Sequence, residues 1–198
     1  MKSRIALLLV LVLTIALSLS AQVKKYDIKS GIVTFEITMH IGQMNIAQKA
    51  VVYFDDYGMK ECKDLYSGDK LKESYLSDGK KLYSVIYAKN IAYDRGTAYS
   101  GTEKRYDWND ISDKDKKDGA ARKIPNMTVA GKSCEAFETG PANGKTTYAG
   151  WSHILLYLDS VGSSSQSTIK AVKIEENVSV PPDKFKVPQG FEIKASMM

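Results

Sequence analysis

The sequence is poor in the residues that carry most enzyme chemistry. Its 198 residues include two histidines and two cysteines. It has no His-Glu-x-x-His run, no Gly-x-Ser-x-Gly elbow and no glycine-rich phosphate loop. Two cysteines without a histidine cluster do not make a zinc site. Asp113, Asp115, Asp118 and Gly119 have the outline of a calcium loop. However, Lys117 takes a ligand position and Ile124 stands where the closing glutamate belongs. Asp55 and Asp56 are adjacent, so on a strand they would point to opposite faces, and a turn accounts for both. The run Ser163-Ser164-Ser165 sits in a Gly/Ser link, where a serine without a placed base is not activated. These absences predict a non-enzyme with no metal and no cofactor.

The charge excludes another class. The formal net charge is +5, and removing Lys2 and Arg4 leaves +3. Opposite signs are interleaved, as in Lys60-Glu61-Cys62-Lys63-Asp64. A nucleic-acid footprint gathers its cations on one face, so no nucleic-acid partner is expected.

Lys2 and Arg4 precede the apolar run Ile5 to Leu19, and small residues follow at Ser18, Ser20 and Ala21. These are the three parts of a secretory signal, predicted over residues 1–21. The run is shorter than the roughly 20 apolar residues of a membrane span. The expected location is therefore periplasmic or secreted. Residues 22–198 then suit one domain, long enough to bury a core without disulfides. Cys62 and Cys134 are either a disulfide, which would contribute roughly 4 kcal/mol in the chain-entropy account, or two separately buried thiols.

The rest of the chain reads as strands. From Gly31 to Ile41 the apolar residues Val33, Phe35, Ile37, Met39 and Ile41 alternate with Thr34, Glu36, Thr38 and His40. Period two over this length predicts a half-buried strand in an antiparallel sheet. Further strands are expected over Ile46 to Phe54, Met59 to Tyr66, Leu71 to Leu76, Lys81 to Tyr87 and Ile91 to Tyr93. Turns are expected at 42–45, 55–58, 67–69, 77–80 and 94–96, the Asp78-Gly79 pair being a strong hairpin signal. Asp107 to Lys123 is charged and lacks alternation; it is either a charged loop or a short helix capped by Ser112 that Gly119 and then Pro125 would end. The strands then resume over Thr128 to Thr139 and through Lys145 to Asp159, the most apolar stretch after the signal segment. A last long strand over Thr168 to Val178 shifts phase between Ala171 and Val172, the mark of a bulge. The tail from Phe185 to Ile193 should run extended across the domain. The sequence has neither an internal repeat nor coiled-coil heptads.

Three segments in order carry a family resemblance. The first is Gly31-Ile32-Val33-Thr34-Phe35-Glu36 leading to Val52-Tyr53-Phe54-Asp55-Asp56-Tyr57-Gly58. The second is Val129-Ala130-Gly131-Lys132-Ser133-Cys134-Glu135. The third is Gly150-Trp151, an apolar strand, and Val180-Pro181-Pro182-Asp183-Lys184-Phe185-Lys186-Val187-Pro188-Gln189-Gly190-Phe191. Together they resemble the LolA- and LolB-like superfamily of envelope proteins, in particular its uncharacterised Bacteroidetes-type members. The resemblance implies a mainly β fold: a strongly curved antiparallel sheet forming an unclosed half-barrel, with a few short helices plugging the open side. It also implies a carrier whose concave apolar face shields acyl chains. No motif of the carriers' functional residues has a counterpart in this chain.

The function expected from these readings is a non-catalytic carrier for an apolar small molecule or a lipoprotein acyl chain. Phe35, Ile37, Met39, Val52 and Phe54 are expected to line either its cavity or its core. A peripheral membrane contact is left open, as is the oligomeric state. The alternative is an envelope structural or interaction module whose interior is filled by its own side chains. A hydrolase ranks last, and would need Asp or Glu gathered with His153 in one cleft.

Overall fold

The computed structural model describes residues 24–98, 106–141 and 144–195. The expected signal segment lies outside them. The strands of the first half are β1 (Gly31–Ile41), β2 (Met44–Asp55), β3 (Lys60–Ser67), β4 (Lys70–Ser77), β5 (Lys81–Ile86) and β6 (Ile91–Thr97). Those of the second half are β7 (Ala121–Val129), β8 (Lys132–Thr139), β9 (Thr146–Trp151), β10 (Ile154–Val161), β11 (Ser165–Glu176) and β12 (Glu192–Ala195). All belong to one sheet, in the order β12-β6-β5-β4-β3-β2-β1-β11-β10-β9-β8-β7. The end strands do not pair with each other, so the sheet is an unclosed half-barrel, as expected. Every pairing is antiparallel except that of β12 with β6, which is parallel.

The alternation read in β1 sets the faces. Val33, Phe35 and Ile37 are buried while Glu36 and Thr38 are exposed. The β1–β2 register sets Val33 beside Val52 and Phe35 beside Ala50. On the other side, β11 skips Val172 between Lys173 and Ala171, the bulge that the phase shift predicts, and Val172 is left exposed. Ser112 caps a five-residue helix α1 (Asp113–Lys117) by accepting the Asp115 backbone N–H at 3.0 Å.

Three expectations about the strands need correction. Thr128 to Thr139 is not one strand: the chain reverses at Ala130 and Gly131, both at positive φ, and β7 begins back at Ala121. The charged residues Arg122 and Lys123 belong to β7, an edge strand whose partner on one side is solvent, and Pro125 lies at its bulge. Lys145 to Asp159 is likewise a hairpin, turning at Ser152 and His153 with φ of 51° and 62°. Neither turn uses the Asn-Gly or Asp-Gly pairs that announce tight hairpins. Asp94-Arg95-Gly96 is not a turn but a bulge inside β6, with Gly96 at φ 96°. Of the two readings left open for Cys62 and Cys134, the structure has the second: both are free and buried. They sit on β3 and β8, with β2, β1, β11, β10 and β9 lying between, so they form no disulfide. Burial pushes both thiols above their ordinary pKa.

Two apolar clusters stabilise the sheet. The larger gathers Tyr26, Val33, Phe35, Ile37, Ala50, Phe54, Leu156 and Ala171 with small residues of β8 and β9. The smaller lies on the opposite face of β3–β6. It joins Cys62, Leu76, Val85 and Ala92 to Val180 and Phe185 of the C-terminal tail, which turns through a 3₁₀ helix at Pro182–Phe185 before reaching β12. The tail does cross the domain, but not as one extended run.

Candidate functional site

Period two sends the side chains of adjacent residues to opposite faces. On β3, Lys63 and Glu61 go one way and Asp64 and Cys62 go the other. Each side has its own cavity.

On the side of Val33 and Phe35 a cavity of about 430 Å³ opens between β1, β2, β3, β10 and β11. Its apolar wall includes Val33, Phe35, Ile37, Val52, Leu155 and Ile169. Of the five residues singled out in the sequence, Phe35, Ile37, Val52 and Phe54 border this space. Met39 does not; it packs at the edge of the same cluster. The apolar row of β1 runs on past Met39 to Ile41, which is 46% exposed at the hairpin tip beside Met44.

The rim residues Lys25, Tyr26, Glu61, Lys63 and Tyr106 were not legible as a group, because three separate segments bring them together. Tyr26 donates to Glu61 Oε2 at 2.6 Å, and Lys25 Nζ donates to the same oxygen at 2.8 Å. Glycine lets the covering segments lie this close. A Cβ at Gly58, whose φ is 83°, would stand 2.5 Å from the Tyr26 ring. A Cβ at Gly150 would stand 2.2 Å from the Tyr106 carbonyl oxygen. Segments packed over glycines thus play the part that the resemblance gave to helices. Tyr106 also borders a second cavity of about 600 Å³, walled by Phe137, Tyr148 and Leu158 and by the α1 region.

On the other face Asp64 is 1% exposed. An unpaired carboxylate there would be costly. Its oxygens accept from Ser74 Oγ at 2.5 Å, Cys62 Sγ at 3.3 Å and Lys184 Nζ at 2.7 Å. Ser74 Oγ in turn lies 3.1 Å from Tyr87 Oη, and Lys184 Nζ stands 4.2 Å from the Tyr53 ring centroid. Burial disfavours the Lys184 charge, but its hydrogen bond and charge pairing with Asp64 more than offset this and raise its pKa. A cavity of about 610 Å³ lies along this contact, bordered by the tail from Asp183 to Gln189. The cluster pins the tail to the sheet.

His40, expected on the wet face, is exposed. His153, at the β9–β10 turn, does gather carboxylates, half of the condition set for a hydrolase, but it borders none of these three cavities. Its Nδ1 lies 3.0 Å from Asp110 and 3.2 Å from Asp107, and its Nε2 lies 3.5 Å from Asp27. Its backbone N–H also donates to Asp107 Oδ2 at 3.2 Å. Donor atoms of Asp107, Asp110 and His153 fall within 4.8 Å of one another, a spacing that could hold a metal ion. Both ring nitrogens already face carboxylates from separate segments. Asp107 Oδ1 is buried without a hydrogen bond, in the close contact at Gly150. Burial raises the Asp107 pKa, against the lowering effect of His153. The arrangement ties the N-terminal segment and residues 107–110 to the β9–β10 hairpin beside the cavity.

Fold and cavity together define a half-barrel β protein with an open apolar interior. An uncharacterized conserved protein from Thermus thermophilus has this fold: it aligns with a TM-score of 0.58 at 9% identity, over 88% of this chain and 94% of its own. A putative outer membrane lipoprotein-sorting protein domain from Vibrio parahaemolyticus aligns at 0.41 and 8% identity, over 79% and 89%. A LolA superfamily protein from Nitrosomonas europaea aligns at 0.38 and 8% identity, over 83% and 92%. Overlaps as loose as the last two support no statement about this chain, and the first shows the fold alone. No protein-family model matches the chain, and no curated protein matches it.

Proposed function

We propose that this chain is an exported, non-catalytic carrier of the LolA-like kind, from a Bacteroidetes-type bacterium. Its inner cavity takes up an apolar ligand such as a lipid or a lipoprotein acyl chain. The observation that carries this reading is the open space of about 430 Å³ beside Val33, Phe35, Ile37, Val52, Leu155 and Ile169. Its size falls in the range of ligand sites. At about 25 cal/mol per Å² of apolar surface, an acyl chain removed from water there gains several kcal/mol without a specific polar contact. Such a site needs shape and dryness rather than a residue signature, which fits the scarcity of motifs. The open interior favours this reading over an interaction module with a filled core. Export to the periplasm or beyond accords with the signal pattern in residues 1–21.

The test is binding of a fluorescent fatty-acid probe to the purified protein. Micromolar binding is expected. Val52→Trp, which fills the cavity from a half-buried position, should abolish it while the far-ultraviolet circular dichroism and the cooperative melt persist. Phe35→Asp should abolish it too, but Phe35 is 7% exposed, so the cavity-filling variant is the cleaner one. A wild-type protein that binds no apolar probe at micromolar concentration refutes the carrier.

A further inference from the structure

The rim of the cavity is not electrically neutral. Glu61 is the acceptor for Lys25 and Tyr26 at its edge. That pairing balances one cation with one anion. Lys63 remains. It is half-buried, it borders the cavity, and its ammonium has no hydrogen-bond or ion-pair partner among the described residues. A surface lysine commonly extends into water. Lys63 instead lies at a boundary within the sheet. On one side its register neighbour is Val52, next to Val33 of the apolar wall. On the other it is Tyr75, next to Ser84 on β5, which accepts from Arg95. Apolar wall and polar wing therefore meet at an unpaired positive charge.

The volume limits what the cavity can hold. At about 430 Å³ the cavity lies toward the small end of the roughly 300–1,000 Å³ range of ligand sites, which suits one chain better than two.

We propose that the cavity is built for a single-chain amphiphile with an anionic head, the chain lying along Val33, Phe35, Val52 and Ile169 and the head meeting Lys63. This deepens the carrier reading and rests on it. A charged head in water would otherwise be indifferent to the protein. Beside an unpaired ammonium it gains a charge-assisted hydrogen bond. The anion could be the carboxylate of a free fatty acid or the phosphate of a lysophospholipid. Both present one negative charge at the end of one chain.

The experiment is displacement of N-phenyl-1-naphthylamine, a neutral apolar fluorophore, by four competitors. These are dodecanoate, 1-dodecanol, 1-dodecanoyl lysophosphatidylglycerol and the soluble two-chain dioctanoyl phosphatidylglycerol. At least one single-chain anion is expected to compete about tenfold better than dodecanol, and whichever does so more strongly names the source. Lys63→Gln should bring the anion's competition down to the level of dodecanol, while Lys63→Arg should keep the advantage. Fluorophore binding by Lys63→Gln itself shows that the variant is folded. Equal competition by dodecanoate, the lysolipid and dodecanol in the wild type overturns the anionic head and leaves the carrier standing. Two-chain lipid competing as well as dodecanoate overturns the single chain. A protein that binds neither fluorophore nor amphiphile overturns the carrier reading, and this proposal with it.

Discussion

Lys63 and Asp64 are neighbours in sequence and opposites in fate. Period two turns Asp64 to the outer face, where the C-terminal tail covers it and brings Lys184 to 2.7 Å. The same pleat turns Lys63 to the inner face, where no described residue answers its charge. The outer face is covered at Asp64 by the chain's own tail, which engages the carboxylate and leaves the cavity of about 610 Å³ alongside. The inner face is only rimmed, by residues 24–28 and 106–110, and keeps an empty apolar space. Closing one face with covalently attached chain incurs no loss of translational freedom.

The largest effect should come from breaking the closed face. Lys184→Met leaves the Asp64 carboxylate buried without its ion pair. It is expected to destabilise by about 3 kcal/mol in urea unfolding, the low end for a buried pair because Lys184 is a third exposed. Adding Asp64→Leu to this variant should restore at least half of the loss. Alkali gives an independent check. The folded pKa of Lys184 is raised above the ordinary 10.5, so its stabilisation is complete below that pH and fades as pH rises through the folded value. The wild type should therefore lose stability in that window by a step that Lys184→Met lacks. A single variant as stable as wild type would mean that apolar packing alone pins the tail.

A smaller loss is expected on the open face. Gly150→Val would push a side chain into the Tyr106 carbonyl and Asp107, costing about 2 kcal/mol in thermal or urea unfolding. Its more telling signature is faster amide exchange over 106–110, with the tail still protected. If exchange instead rises over the whole sheet, the two faces are not independent units. The smallest effect is none. Because Cys62 and Cys134 are free, adding a thiol reductant should leave the melting temperature where it is. A drop of several degrees would place a disulfide in the purified protein.

Much of the sheet was legible, and the misses share a cause. β1 announced itself because each buried residue is followed by a polar one, and the bulge at Val172 showed as a slip in that rhythm. The Asp78-Gly79 turn declared itself through its chemistry. The hairpins at Ala130-Gly131 and Ser152-His153 did not, since tertiary packing rather than residue preference holds Ala130, Ser152 and His153 at positive φ. β7 stayed hidden because an edge strand can carry Arg122, Lys123 and Pro125 without alternation. Within the candidate site, Phe35, Ile37, Val52 and Phe54 could be picked out as one apolar face. Their placement beside a cavity could not, and Met39 falls outside it. The rim escaped altogether, because Tyr26, Glu61, Lys63 and Tyr106 are spread over 80 positions and nothing in their local spacing relates them.

By itself, then, the sequence determined that this is an antiparallel β protein with little chemical machinery, because side-chain alternation and turn residues are local properties. Only the tertiary structure decided how each face of the sheet is sealed and where space is left on it. Sealing depends on where the tail and the two covering segments come to rest, and that is set by long-range contacts such as Lys184 with Asp64 and Tyr106 over Gly150.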